Sequence, residues 1–152
     1  MTQRVDLATV MDRLAIDELV TGYAVAVDDG DWTAYRALFT EGGRADYRGS
    51  GGIEGPADEV ADWLAETMRL FPVRQHLIVN RRVSLQDLGG YPGDSAEVRA
   101  DYINPMLSAS GPDFVSGGRY VFTLTRREAV WRLHSVATQE KWRRPGKPCG
   151  DA

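Results

Sequence analysis

His76 is the side chain in this sequence that is best suited to proton transfer. A histidine ordinarily titrates at about pH 6.5, so its neutral imidazole can take up a proton at neutral pH. The chain has only two histidines, and the alternation of His134 with Arg132 and Glu140 predicts that His134 is exposed or lies at a subunit contact. We therefore expect His76 to be the general base if the protein is an enzyme.

The stretch Arg74–Asn80, which contains His76, is predicted to be a β-strand. On a regular strand, Leu77 and Val79 share one face, and His76 lies on the other. Simple alternation places Leu77 and Val79 in the core and His76 outside it. A surface that faces a pocket also mixes polar and apolar groups, so a pocket-facing His76 stays an open alternative.

Asp28 is the acid that could pair with His76. It stands near the end of a predicted helix, where the helix macrodipole disfavours a carboxylate by about 0.3–1 kcal/mol. Its neighbour Asp31 is explained as the N-cap of the next helix, and Asp29 as a solvated side chain. Asp28 lies at the edge of the apolar face and either looks into a pocket or is an acid at a frayed helix end.

Tyr23 and Asp101 are further polar candidates. Tyr23 lies on the apolar face of the first helix, and because a buried hydroxyl needs a partner, it is either a satisfied core residue or a pocket donor. It lies about 140° from Asp28 around a regular helix, so the two converge only from the flanks or at a deformed helix end. Asp101, in mid-strand, is either exposed in a salt bridge with Arg99 or Arg119, or buried beside a partner.

Composition limits the kind of protein. A chain of 152 residues fits one domain with one core, and a net charge of −4 gives no electrostatic basis for binding nucleic acid or an anionic membrane. We see neither an apolar run long enough to span a membrane nor a signal pattern. One cysteine, Cys149, suits a reducing cytoplasm. With so few histidine and cysteine ligands, we predict no metal and no cofactor.

The order of predicted elements indicates an α+β fold. Helical periodicity covers residues 7–29, 32–39 and a third helix that Pro56 opens and Pro72 closes, with a short strand at 44–48. Period-two patterns follow at 74–86, 95–108, 114–126 and 129–143. Helices followed by a strand meander favour helices packed on one face of an antiparallel sheet that curves into a cone.

Four short motifs follow one another along the chain: Tyr23-Ala24 with Asp28–Trp32, then Asp46–Arg48, Gln75-His76 and Val130–Arg132. In type and order they resemble the SnoaL-like part of the nuclear-transport-factor-2-like superfamily, and within it scytalone dehydratase and the bacterial bile-acid dehydratases. The resemblance covers residues 8–144. It implies a cone in which three N-terminal helices pack on the concave face of a curved, mixed sheet.

The resemblance also implies catalytic residues. In the dehydratases, a pocket histidine paired with a helix aspartate acts as base, and tyrosines polarise the substrate carbonyl. His76, Asp28 and Tyr47 match these residues, and Tyr23 matches the helix tyrosine of the bile-acid enzymes. Asp101 matches an aspartate of the bile-acid enzymes where scytalone dehydratase has a second histidine.

The match departs from scytalone dehydratase at Val27, which stands where that enzyme has its helix tyrosine. With the second histidine also missing, scytalone itself is not the expected substrate. The expected substrate contacts are Asn80, Trp63, Tyr102 and Tyr120.

We therefore expect a dehydratase, a cofactor-independent lyase that acts on a small hydrophobic carbonyl compound of polyketide, steroid or aromatic type. The expected organisation is one domain, residues 1–144, with a C-terminal tail at 145–152, in a cytoplasmic homo-oligomer (dimer or trimer). Alternatives are an isomerase or polyketide cyclase with the same base, an epoxide hydrolase built on Asp28, Asp101 and Arg99, and a non-catalytic binding or assembly module. The last would have His76 outside the fold or far from Asp28.

Overall fold

The structure, a computed structural model, describes residues 7–89 and 92–145. Cys149 and the rest of the predicted tail beyond Pro145 lie outside the described residues. Within the described ranges, no helix is long and apolar enough to cross a membrane.

Three helices occupy the N-terminal half, as predicted. Helix α1 spans Leu7–Asp29, α2 spans Trp32–Ala37 and α3 spans Ala57–Met68. Gly30, with a φ of 66°, ends α1 in the left-handed conformation that glycine adopts readily. Asp31 caps α2 by accepting a hydrogen bond from the Ala34 amide at 3.0 Å, which confirms the role predicted for it.

The strands form one mixed sheet. They are β1 (Phe39–Gly49), β2 (Glu54–Pro56), β3 (Val73–Arg74), β4 (Leu77–Asp87), β5 (Pro92–Leu107), β6 (Phe114–Arg127) and β7 (Val130–Pro145). Their order is β2-β1-β7-β6-β5-β3, and β4 also pairs with β5. The pairing is antiparallel except between β1 and β7. The sheet curls around the helices, so the predicted α+β cone is confirmed, and the core lies inside it.

The predicted strand at 74–86 is interrupted at two places. Gln75 and His76 separate β3 from β4, so His76 is not itself a strand residue. Further along, Val79 pairs with Asp101 and Arg82 pairs with Arg99. Two residues of β4 therefore oppose one residue of β5, which is a β-bulge.

The bulge reverses which residues of β4 point inward. Before it, Ile78 is 7% exposed, while Leu77 and Val79 are 46% and 43% exposed; after it, Val83 and Leu85 pack against the core. The prediction that Leu77 and Val79 face the core was wrong. It assumed regular alternation along the whole strand, whereas the extra residue in the bulge shifts the alternation by one position. His76 belongs to the inward side of this segment.

Candidate active site

His76 and Asp28 form a close pair between the end of α1 and the β3–β4 connection. The His76 Nδ1 lies 2.6 Å from Asp28 Oδ1, and the His76 backbone amide donates to both carboxylate oxygens, at 2.9 and 3.0 Å. The imidazole is 9% exposed. Since an ionised carboxylate only accepts hydrogen bonds, it favours the tautomer with a proton on Nδ1 and leaves Nε2 free to act as a base.

The His76 ring lines a cavity of about 240 Å³ inside the cone. Apolar side chains from α1, α3 and the strands form much of its wall: Val27, Trp63, Leu64, Met68, Phe71, Met106 and Phe114. Polar side chains also line the cavity: Tyr23, Tyr47, Tyr102, Tyr120, Asn104, His76, Ser50, Thr67, Ser116, Thr138 and Arg143. The cavity is smaller than the roughly 300–1,000 Å³ of sites for drug-sized ligands, which indicates a small, largely apolar ligand.

The hydroxyl groups of Tyr23, Tyr35 and Tyr47 are hydrogen-bonded to one another beside this cavity. The Tyr47 oxygen lies 2.5 Å from that of Tyr23 and 2.8 Å from that of Tyr35. The Tyr120 ring packs edge-on against that of Tyr23, with centroids 5.6 Å apart. Three hydroxyl protons in two such bonds leave one proton for another acceptor, and Tyr23, Tyr47 and Tyr120 all line the cavity.

Burial keeps these phenols protonated. Desolvation of the phenolate raises the pKa of Tyr23 and Tyr47 well above the ordinary value near 10, and it also raises the pKa of Tyr35 and Tyr120. At neutral pH the cluster therefore donates hydrogen bonds and carries no charge. Such donors suit an oxygen on which negative charge develops.

Arg74 fixes the end of α1 that carries Asp28. Its Nε donates to the Val27 carbonyl at 2.9 Å, and its Nη1 donates to the carbonyls of Met68 and Phe71 at 3.2 and 2.9 Å. These bonds satisfy carbonyls at and beyond the C-terminal ends of α1 and α3, which lack partners within a helix. Arg74 lies two positions before His76, so it links both helix ends to the segment that carries His76.

The loop after β1 closes one side of the cavity through Gly52. A Cβ at this position would lie 2.7 Å from the Trp63 ring and 2.8 Å from the Tyr47 Cβ. Only glycine lets the loop approach the two aromatic rings, which stack with centroids 6.4 Å apart. Gly52 therefore allows Trp63 and Tyr47 to line the cavity together.

Two buried polar atoms on β5 have no hydrogen-bond partner in the described part of the chain. They are the Tyr102 hydroxyl and Asn104 Oδ1, on side chains that line the cavity. Tyr102 is 2% exposed and Asn104 is 7% exposed. An unpartnered buried polar atom is costly, so these two atoms indicate a place where a ligand binds.

The structure brings most of the predicted site residues together. His76, Tyr23 and Tyr47 line the cavity, and Asp28 reaches it through His76. Because His76 lies between Asp28 and the cavity, Tyr23 and Asp28 need not converge on one point. The predicted contacts Trp63, Tyr102 and Tyr120 also line the cavity.

Asp101 and Asn80 do not reach the cavity. On β5 the inward residues are Ala100, Tyr102 and Asn104, so Asp101 projects from the opposite face. There it accepts hydrogen bonds from Asn80 at 3.1 Å and Arg119 at 3.3 Å, and these lower its pKa. The outer position of Asp101 also removes the acid pair that an epoxide hydrolase would need.

Sequence reasoning missed Asn104, Tyr35 and Arg74. Asn104 shares the strand face of Tyr102, so strand alternation along β5 could have found it. The spacing of Tyr35 in a short helix and the position of Arg74 beside His76 gave no such signal, since their partners come from other elements. Among the described residues, no group of three or more His, Cys, Asp or Glu side chains could hold a metal ion.

Residues 8–137 match the SnoaL-like domain family. The chain belongs to that family. As a SnoaL-like protein it is also similar to Rv2910c of Mycobacterium tuberculosis strain H37Rv, an uncharacterized protein, with 32% identity over 129 residues, 84% of each chain.

Solved structures share the fold of this SnoaL-like chain. A proposed aromatic ring hydroxylase from Novosphingobium aromaticivorans is 26% identical, with a TM-score of 0.80 over 90% of this chain and 94% of its own. A proposed scytalone dehydratase from the same species is 18% identical, with a TM-score of 0.75 and coverage of 95% and 97%. The hexachlorocyclohexane dehydrochlorinase LinA-type3 of Novosphingobium barchaimii is 17% identical, with a TM-score of 0.80 and coverage of 97% and 98%. The last two likenesses show the fold alone.

Proposed function

We propose that this SnoaL-like protein is a cofactor-independent lyase that removes water from a small, hydrophobic carbonyl compound. The observation that carries the proposal is the 2.6 Å contact between His76 Nδ1 and Asp28 at the wall of a cavity that also holds buried tyrosine hydroxyls. A base and neutral hydrogen-bond donors around one apolar space are the groups that an enolisation needs. Two structural neighbours carry the names of a dehydratase and a dehydrochlorinase. Both names describe elimination reactions, which supports an elimination here.

His76 acts as the base in this proposal. Its Nε2 takes the proton from the carbon next to the substrate carbonyl, while Asp28 holds the ring by Nδ1 and stabilises the imidazolium that forms. The electron pair of the broken C–H bond moves onto the carbonyl oxygen. The spare proton of the tyrosine cluster, donated by Tyr47 or Tyr23, stabilises that oxygen as charge develops.

Loss of water completes the reaction. The enolate reforms its carbonyl, a carbon–carbon double bond forms, and the C–O bond at the β carbon breaks. The imidazolium returns its proton to the leaving oxygen, so water departs and His76 is neutral again. The products are one α,β-unsaturated carbonyl compound and one water molecule.

The test is turnover of small cyclic β-hydroxy ketones, beginning with 4-hydroxy-2-decalone, followed by the mass and ultraviolet absorption of the product. We expect His76→Ala and Asp28→Asn to lower kcat by about 10²–10⁴-fold. His134→Ala, an exposed histidine, and Asp29→Asn, an exposed acid on the same helix, are the matched controls and should keep wild-type activity. A product with the same mass as the substrate would show isomerisation instead of dehydration. Undiminished turnover by His76→Ala would reject His76 as the base.

A further inference from the structure

We propose that Tyr102 and Asn104 form a polar subsite that binds the leaving hydroxyl of a β-hydroxy carbonyl substrate. The inference rests on the elimination proposed above and adds the substrate class and the residues that recognise it. It begins from the two buried atoms without partners, the Tyr102 hydroxyl and Asn104 Oδ1. Both side chains are more than nine-tenths buried and line the same cavity as His76.

Strand pairing places Asn104 across from His76. Arg74 pairs with Met106, the Gln75 amide donates to the Pro105 carbonyl at 3.1 Å, and Leu77 pairs with Ile103. His76 therefore faces Asn104 in the register between these pairs, and directly opposed side chains have Cβ atoms about 4.5–5.5 Å apart. A group bound by Asn104 lies beside the proposed base.

Tyr102 extends the subsite toward the tyrosine cluster. It lies two residues from Asn104 on the same face of β5, and its ring centroid is 4.7 Å from that of Tyr120. Its hydroxyl fits over Gly118, where a Cβ would come within 2.8 Å of the oxygen. The subsite thus adjoins the cluster proposed to bind the carbonyl, as the two oxygens of a β-hydroxy carbonyl compound require.

The chemistry of the two atoms selects a hydroxyl group. The Asn104 side chain partly offsets the rise that burial causes in the Tyr120 pKa, and among the described residues its Oδ1 is an acceptor without a donor. The Tyr102 hydroxyl can donate a hydrogen bond, and burial raises its pKa to about 12, so it is neutral. An alcohol donates to Asn104 and accepts from Tyr102, whereas a carbonyl or ether oxygen leaves Asn104 unsatisfied.

The experiment compares binding of 2-decalone and 4-hydroxy-2-decalone by calorimetry, using His76→Ala to slow turnover during the titration. We expect the hydroxyl to tighten binding by at least about 10-fold, because a site with unpaired buried polar groups rejects a ligand that cannot pair them. Adding Tyr102→Phe or Asn104→Leu should reduce this preference to below about 3-fold. Thr125→Val is the matched control. Thr125 Oγ1 is also buried without a partner among residues 7–89 and 92–145, but Thr125 lies outside this cavity.

The outcomes separate this inference from the proposed function. A hydroxyl preference that Tyr102→Phe and Asn104→Leu abolish supports the subsite, even if the wild-type protein never releases water from the hydroxy ketone. Equal affinity for the two ketones, no binding of either, or a preference that both variants retain overturns the subsite. Tyr102→Phe and Asn104→Leu are also made singly, with His76 in place. If the wild-type protein dehydrates 4-hydroxy-2-decalone and both single variants keep its kcat/KM, the subsite is rejected while the lyase proposal stands.

Discussion

Asn80 holds a backbone conformation that few side chains tolerate. Its φ is 51°, in the left-handed region where asparagine is enriched and β-branched residues are outliers, and it lies in the bulge of β4. We expect Asn80→Val to destabilise the protein by about 1–2 kcal/mol, measured by urea unfolding. Asn80→Gly should stay within about 0.5 kcal/mol of wild type and keep its activity.

If Asn80→Val leaves the free energy of unfolding unchanged, that result would contradict a bulge centred at residue 80. Asn80→Asp is the second control, because aspartate also occurs in the left-handed region. It would, however, place a second acid beside Asp101. Low pH should therefore reduce any destabilisation it causes, whereas the effect of valine should not depend on pH.

At the residue scale, the chemical types of the candidate site residues could be predicted, but the strand faces of two of them, Asp101 and Asn80, could not. Histidine, aspartate and tyrosine chemistry together with the order of the motifs predicted His76, Asp28 and Tyr47. Asp101 and Asn80 were expected in the site, yet they bind each other on the outer face. The outward direction of Asn80 depends on the bulge in β4, which leaves little trace in a single sequence. Asp101 points outward by simple alternation with the inward Tyr102.

At the element scale, Arg74 holds together the ends of two helices. Its guanidinium donates to the carbonyls of Val27, Met68 and Phe71. The Val27 and Met68 carbonyls also accept from backbone amides, so removal of the guanidinium takes one of two donors from each and, among the described residues, leaves the Phe71 carbonyl without a donor. We expect Arg74→Met to lower the free energy of unfolding by about 2–3 kcal/mol, measured by urea unfolding. Because Val27 directly precedes Asp28, kcat should fall as well.

Arg69→Met is the matched control for this prediction. Arg69 forms an exposed pair with Glu66, with side chains 75% and 72% exposed, and such a pair contributes little. Its loss should change stability by less than about 0.5 kcal/mol. Equal effects of the two substitutions would show that Arg74 does not link the helix ends.

Element type could be predicted from periodicity, whereas the irregular pieces could not. The helices and the four long C-terminal strands lie close to their predicted ranges. Strand β1, however, begins at Phe39 rather than residue 44, because Gly42, with a φ of 79°, lets the strand continue through an irregular register. The three-residue β2 gives no periodic signal, and it forms because β1 offers it a pairing edge.

At the scale of the whole molecule, buried tyrosines determine the response to alkali. Five of the six tyrosines, Tyr23, Tyr35, Tyr47, Tyr102 and Tyr120, have a raised pKa because burial disfavours the phenolate. Above about pH 10 the unfolded chain releases protons that the native protein keeps, so stability falls as pH rises. Stability from these groups is intact below pH 10 and decreases above it, by about 1.4 kcal/mol per pH unit for each tyrosine.

We therefore expect alkaline unfolding in which these tyrosines ionise together with the loss of structure. Tyrosinate absorbance and far-ultraviolet circular dichroism, followed on the same samples from about pH 8 to about pH 12, should change in one transition. The sixth tyrosine, Tyr91, lies outside the described residues and is allowed to ionise alone. Ionisation of several tyrosines near the ordinary pKa with unchanged circular dichroism would contradict the buried cluster.

The parallel pairing of β1 with β7 determines when the cavity can form during synthesis. Ala45 pairs with Val136, 91 residues further along the chain, so β1 has only the three-residue β2 as a strand neighbour until β7 has been made. Tyr47 on β1 and Asn104 on β5 therefore enclose a common space only after β7 has been synthesised. Contacts this distant in sequence close slowly, and a nascent chain that stops before β7 exposes the apolar wall of the future cavity to other chains.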